Sequence, residues 1–229
     1  AERFCAVGAA EHCVQRLGNM KWDTARIADE VEDAASLAEA MGIDRAKPLV
    51  VAGSTCPIEH ELLQDAVGEG VQLLCAPRKP EWFDDAARVL TGCARRSKGD
   101  RGSTTGRFLL DTIGELRQAY ALADVVVVGR TFADLGGSDM IEPIALGKAT
   151  IVGPDTRNFA SVTQILREAD GLETATKETL GATLRALLDA PERRRALADA
   201  GRRAIRAEQG ASRRHAALLH ALIEDRTAP

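Results

Sequence analysis

The stretch "ADVVVVG", residues 123–129, runs directly into "RTFADLGGSDMIEP", residues 130–143, and this pair decides how the chain is read. Four consecutive valines are apolar on both faces of an extended strand, which suits a strand covered by helices from both sides of a parallel sheet. The segment behind them supplies two glycines, short polar side chains and a Glu-Pro pair, a turn leading into a helix. Two further runs repeat the pattern: PLVVAGST (48–55) precedes a Pro-led helix to about Val67, and VQLLCAPR (71–78) precedes a helix expected from Pro80 to Leu90. RFLLD resumes extended structure at Arg107, a helix is expected from Ile113 to Leu122, and ATIVG adds a strand. Phe159–Ala169 reads as a helix and Leu172–Thr174 as a short edge strand. Helices then follow from Thr176 to Leu188, from Pro191 to Gln209 and from Ala211 to Ile223. This alternation predicts an α/β fold, a Rossmann-like doubly wound parallel sheet. Residues 1–47 are expected to form a linker and helical lead-in, 48–190 the α/β domain, and 191–229 a set of C-terminal helices. The polar stretch 93–107 is expected to be a mobile surface loop.

Composition narrows the function. Apolar residues make up 45% and charged residues 28% of 229, the balance of an ordinary core and surface, and the net charge of -4 implies no partner. From Pro191 onward nine arginines face five acids. A nucleic-acid surface would join that bias to aromatic stacking, and aromatics are only 3%, so no nucleic-acid partner is expected. Cys5, Cys13, Cys56, Cys75 and Cys93 form no CxxC and no metal-ligand spacing, which argues for a reducing compartment. Cys75 sits in an apolar run and is expected to be buried. The first residue is not Met, and the chain is expected to be part of a longer protein.

In a doubly wound sheet, ligands bind beyond the carboxyl ends of the strands. Gly136 and Gly137 stand there, and their amides, with a helix start behind them, either form ordinary turn punctuation or receive a phosphate. Ser138 or Asp139 can cap the helix. Glu142 is welcome in a first helical turn, and its acceptor-only carboxylate also suits a vicinal diol such as ribose. Arg78 and Lys79 place two cations at another strand mouth, an anion site or an exposed loop. Ser54 has no nucleophile elbow around it, and His12, His60, His215 and His220 do not cluster. No catalytic acid or base, no metal and no cofactor is therefore assigned.

In order, GNMKWD (18–23), AGST (52–55), PRKPE (77–81), DTIGEL (111–116), LGGSDMIEP (135–143) and GPDTRNF (153–159) resemble the C-terminal half of the 3-deoxy-D-manno-octulosonic acid (Kdo) transferases. These are lipid A glycosyltransferases of the two-lobed GT-B fold, and the resemblance covers about residues 1–225. It implies a donor site for CMP-Kdo. Arg78 and Lys79 would lie at the nucleotide pocket, with Ile113, Gly114 and Glu115 facing the cytosine. Gly136, Gly137 and Ser138 would lie near phosphate and sugar, Glu142 on the ribose, and Asn158 and Phe159 near the cleft. Lys79 stands where the family has histidine, Ser138-Asp139 where it has His-Asn, and Cys56-Pro57-Ile58 where it has a more polar segment.

The resemblance further implies an inverting displacement at the anomeric C2 of Kdo, with CMP leaving. The glutamate general base, the lipid A precursor surface and the membrane association would belong to an N-terminal lobe outside this sequence. The chain alone is then expected to be inactive, and its place to be the cytoplasm or the cytoplasmic face of the inner membrane. Other GT-B glycosyltransferases, a UDP-sugar epimerase domain, or a noncatalytic nucleotide-binding remnant are the competing readings.

Overall fold

The computed structural model describes residues 2–227, with side chains to Glu224. Seven strands form one parallel sheet: β1 Leu49–Thr55, β2 Gln72–Pro77, β3 Ala94–Arg95, β4 Arg107–Leu109, β5 Val125–Val128, β6 Ala149–Val152 and β7 Glu173–Thr174. Their order across the sheet is β3-β4-β2-β1-β5-β6-β7. Central β1 pairs with β2 on one side and β5 on the other, so that Val51 lies level with Leu74 and with Val126. The chain builds outward through β2, then returns to the far side of β1 to lay down β5. The strand order reverses at this point, and in such sheets ligands bind there, beyond the carboxyl ends of the strands.

The apolar runs are strands because helices cover both faces. On one face α3 (Pro57–Ala66) contributes Leu63 and Ala66, and α8 (Leu180–Leu188) contributes Leu180, Leu184 and Leu187, against Val50, Leu73, Leu109 and Val125. The i, i+4, i+7 spacing in α8 lays all three leucines on the sheet. Each leucine so buried stabilises the fold by about 1.5–3 kcal/mol. Elsewhere α5 (Leu116–Leu122) packs on β1, and α2 (Ala34–Met41) packs on α5. The remaining helices are α1 (Glu2–Ala6), α4 (Phe83–Val89), α6 (Ile141–Ala145), α7 (Ala160–Glu168), α9 (Pro191–Glu208) and α10 (Ala211–Thr227).

Four segments differ from the sequence reading. Residues 93–107 are not simply a surface loop: Ala94–Arg95 pairs with β4, a 3-10 turn spans Arg96–Lys98, and Arg95 and Arg96 bind carboxylates across the sheet edge. Pro80–Trp82 is a 3-10 turn, and the α-helix begins at Phe83. Residues 112–115 stay outside α5, since Gly114 takes a left-handed φ of 98° that no helix continues. Thr176–Thr179 forms a hydroxyl-bonded turn ahead of α8.

Backbone proximity divides the chain into a larger unit, Arg26–Ala204, and a smaller one made of residues up to Ala25 with those from Ile205 on. The boundaries expected at 47/48 and 190/191 both fall inside the larger unit. There α2 packs on α5, and Arg202 bonds Asp29 at 2.6 Å, the Ala28 carbonyl at 2.6 Å and the Ala145 carbonyl at 3.1 Å. In the smaller unit Asp23 accepts the Gly210 and Ser212 amides at 2.5 Å each, capping the start of α10. The Ser212 amide bond leads the interactions that hold the Asp23 carboxyl below its ordinary range.

Candidate functional site

Because every strand runs the same way, the loops after β1, β2, β4, β5 and β6 all leave one edge of the sheet. At the end of β1, Gly53 is required by close approach: a β-carbon there would lie 2.1 Å from the Tyr120 hydroxyl. Tyr120, the only tyrosine, is fully buried, and burial, then Glu142 and Asp139, push its phenol far up. The next residue, Ser54, holds a left-handed φ of 59°. His60 lies buried on α3 with Nε2 3.2 Å from the Thr55 hydroxyl and Nδ1 3.2 Å from Asp85. Burial pushes the imidazole pKa down, against the pull of Asp85. Both ring nitrogens are engaged within the core, and none faces a ligand.

After β2, the Arg78 amide bonds the Thr55 carbonyl at 2.9 Å, which ties this loop to the end of β1. The Arg78 guanidinium is exposed and forms no ion pair among the described residues. Lys79 differs: its ammonium lies 3.3 Å from Glu81 and 5.1 Å from the centre of the Trp82 ring.

After β4, the turn carrying Ile113 and Gly114 is braced by carboxylates on both sides. Asp111 accepts Arg95 Nε at 2.7 Å, the Ser97 amide at 2.8 Å and the Ser97 hydroxyl at 2.6 Å. Burial alone would raise the Asp111 carboxyl, but these bonds outweigh it and hold it below the usual carboxylate range. Glu115 accepts Arg96 Nη2 at 2.8 Å and Arg96 Nε at 3.1 Å, with Thr112 on its other oxygen at 2.5 Å. Its pKa is also lowered, burial being outweighed by Arg96 and Thr112. Glu115 thus holds the turn, while Ile113 projects at its tip, 76% exposed.

After β5, Gly136 and Gly137 have φ of 77° and 81°, so the turn needs glycine at both positions. Their amides are not open to a ligand. Gly136 donates to Asp155 Oδ2 at 2.7 Å and Gly137 to the Arg130 carbonyl at 2.9 Å. Burial would raise the Asp155 carboxyl, yet the Gly136 amide and Arg157 hold it low. Asn158 folds over the turn, its amide donating to the Gly136 carbonyl at 3.0 Å. Asp139 accepts the Ile141 amide at 2.8 Å as a helix-start bond. Ser138 is 7% exposed, and its hydroxyl is buried without a hydrogen-bond partner among the described residues. Glu142 is partnered: Arg117 of α5 lies 3.3 Å from its Oε1 and donates to the Arg26 carbonyl at 3.0 Å.

The expected residues accordingly fall into three groups on one edge: Arg78 with Lys79, Ile113 with Gly114 and Glu115, and Gly136, Gly137, Ser138 and Asn158 with Glu142 behind them. Sequence reasoning missed Tyr120, Arg117, Asp111, Asp155 and the buried Glu59. Tyr120, a lone tyrosine in an aromatic-poor chain, carried a local signal, and Asp111 and Asp155 lie inside the DTIGEL and GPDTRNF segments.

No family model matches the chain. It is 34% identical to the 3-deoxy-D-manno-octulosonic acid transferase of Bordetella pertussis, over 93% of this chain and 52% of that one. The Haemophilus influenzae transferase of the same name is 28% identical over 97% of this chain and 55% of that protein. The C-terminal CMP-Kdo binding domain of WaaA from Acinetobacter baumannii superposes with a TM-score of 0.70 at 24% identity, covering 82% of this chain and 99% of the domain. The fold is that of a GT-B C-terminal lobe. The chain spans about half the length of the curated relatives it matches. Across that span it is a homologue of the 3-deoxy-D-manno-octulosonic acid transferase family.

Proposed function

We propose that this chain binds the donor of a Kdo transferase, CMP-Kdo, at the carboxyl edge of its sheet. The observation that carries the reading is Arg78, an exposed guanidinium without an ion-pair partner among the described residues, set at the mouth of β2. A free, planar, multi-donor cation there suits the phosphate of CMP or the carboxylate of Kdo. Ile113 and the bare backbone of Gly114 offer a flat apolar edge to the cytosine. Glu142, oriented by Arg117, has its second oxygen for the ribose diol. The Ser138 hydroxyl, buried and unpartnered among the described residues, gains a partner when sugar or phosphate arrives.

Transfer to a lipid A precursor would need a general base; His60 is engaged between Thr55 and Asp85, and the reading places the base outside this chain. The proposal is therefore binding without turnover by this chain alone, with the acceptor and any membrane association supplied by residues outside it. Among the described residues no helix is long and apolar enough to cross a membrane. Titration of the purified chain with CMP, UDP and their sugar conjugates, followed by amide NMR, tests the reading. CMP is expected to shift Arg78, Gly137 and Glu142, and UDP to do so more weakly. Preference for UDP, or no shift at any of the three, would overturn it, and turnover of CMP-Kdo onto a lipid A precursor would overturn the claim of inactivity.

A further inference from the structure

A glutamate in the third position of a helix ordinarily reaches back to one amide, that of the capping residue. Glu59 does so: its Oε2 lies 3.1 Å from the Cys56 amide. Two further bonds exceed that local need. Oε2 also accepts the Arg130 amide at 2.8 Å, and Oε1 accepts the Phe132 amide at 3.0 Å, from a loop more than 70 residues along the chain. The carboxylate is 1% exposed and lies between the ends of β1 and β5, where the Gly129 amide bonds the Gly53 carbonyl at 2.8 Å.

We infer that Glu59 is a positioning residue for the donor site, fixing the loop 130–137 through the backbone of Arg130 and Phe132. Arg130 has a φ of 62°, a left-handed conformation that a non-glycine residue keeps only where its surroundings over-determine it. The two Glu59 bonds, one to the Arg130 amide itself and one to the Phe132 amide two residues on, supply the constraint. Everything further along hangs from it: the Arg130 carbonyl accepts the Gly137 amide at 2.9 Å, and its guanidinium bonds the Leu135 carbonyl at 2.9 Å. Between the two clamped amides, Thr131 accepts the Gly153 amide on its hydroxyl at 2.8 Å and the Asp155 amide on its carbonyl at 3.0 Å. One buried carboxylate on α3 thereby sets the height of the Gly136-Gly137 turn and, through it, of Ser138. This inference rests on the donor-site reading for its functional consequence, and on the geometry alone for the clamp.

The test is amide hydrogen exchange and CMP titration on the purified 229-residue chain. In the wild type, the Arg130 and Phe132 amides should be protected although they lie outside helix and strand. Glu59→Gln keeps one acceptor oxygen and turns an NH2 donor toward the amide on the other side, so protection should fall at least about tenfold at Arg130 or at Phe132. CMP binding should weaken by roughly tenfold or more. Glu59→Asp keeps the charge but is too short to reach both loops, and it should behave like Glu59→Gln. Leu184→Val, a core truncation on α8, should lower the melting temperature while leaving exchange at 130 and 132 and the CMP affinity unchanged. Unprotected Arg130 and Phe132 amides in the wild type would overturn the clamp, and that arm holds even if the glutamine variant does not fold. CMP weakening no greater than in Leu184→Val, or normal binding in Glu59→Asp, would overturn the positioning role. A wild type that binds no CMP rejects the donor-site reading instead, and the exchange result alone then decides Glu59.

Discussion

Two basic pairs stand at this edge of the sheet, Arg78-Lys79 after β2 and Arg95-Arg96 at β3, and they have opposite fates. Arg95 is 17% exposed at its side chain and locked to Asp111 and Asp84; Arg96 is locked to Glu115. Arg78 is exposed and free of ion pairs among the described residues, and Lys79 only brushes Glu81 and Trp82. In sequence both pairs are cations beside a strand. What separates them is whether the fold itself supplies a carboxylate. Where it does, the charge is structural; where it does not, the charge stays in solvent, and the proposed donor site draws on it.

The most severe way to test the structural half is Asp111→Ala. The carboxylate is 1% exposed, and removing it leaves Arg95 partly buried without its main partner and strips two bonds from Ser97. A loss of about 3–5 kcal/mol is expected, measured by urea unfolding. The same site predicts an acid limb. The folded Asp111 pKa lies below its unfolded value, so its contribution is complete above the unfolded pKa and is lost as pH falls through the folded one. Unfolding followed from pH 6 down to pH 2 should show stability falling below about pH 4. In Asp111→Asn this limb should flatten, and an identical slope in both proteins would assign the acid sensitivity elsewhere.

Glu115→Ala comes next. Its partner Arg96 is a third exposed, so the freed guanidinium reaches water, and the expected loss is about 1–2 kcal/mol by urea unfolding. The variant also separates bracing from binding. If Glu115 only holds the turn, the Ile113 and Gly114 amides should sharpen or broaden together on mutation without ligand present. A variant with unchanged Ile113 and Gly114 resonances and lost CMP binding would make Glu115 a direct ligand.

The contrast between the two pairs also shows what was legible in the sequence. Strands β1, β2, β5 and β6 are readable because burial on both faces demands unbroken apolar runs. The stretch 93–107 is not, because its order comes from Arg95 meeting Asp111 and Arg96 meeting Glu115, partners 16 and 19 residues away that no local spacing announces. The Gly136-Gly137 turn was readable as backbone that only glycine tolerates. The occupants of its amides, the Asp155 carboxylate and the Arg130 carbonyl, come from another loop and from a residue bent into a left-handed conformation, and a residue string displays neither. Glu59 was hidden for the same reason: as a sequence feature it is an acid in a first helical turn, and its surplus bonds appear only when β5 lies beside β1.

Lys79→Ala should change little. Its pair with Glu81 is exposed on both sides, and its contact with Trp82 is at the surface, so the loss is expected below about 1 kcal/mol. Raising the salt concentration should erase most of the difference from wild type, since exposed charges are screened. A loss as large as that of Glu115→Ala would mean that the 79–82 turn braces the site as the 95–97 turn does.

Arg78→Ala makes the comparison sharpest because its stability effect should be the smallest of all. With no ion pair among the described residues to lose, the melting curve should match wild type within about 0.5 kcal/mol. Its backbone bond to the Thr55 carbonyl survives the change, so the loop keeps its place. CMP binding should nonetheless weaken by roughly tenfold, equivalent to about 1.4 kcal/mol. Arg78→Lys should recover part of that if a point charge suffices, and little if the two-pronged geometry of a guanidinium is what the anion needs. A variant that loses stability but not affinity would reverse the assignment: Arg78 would then belong with Arg95 and Arg96, held by a partner within the fold, and the donor's anion would have to be met by another group on this edge.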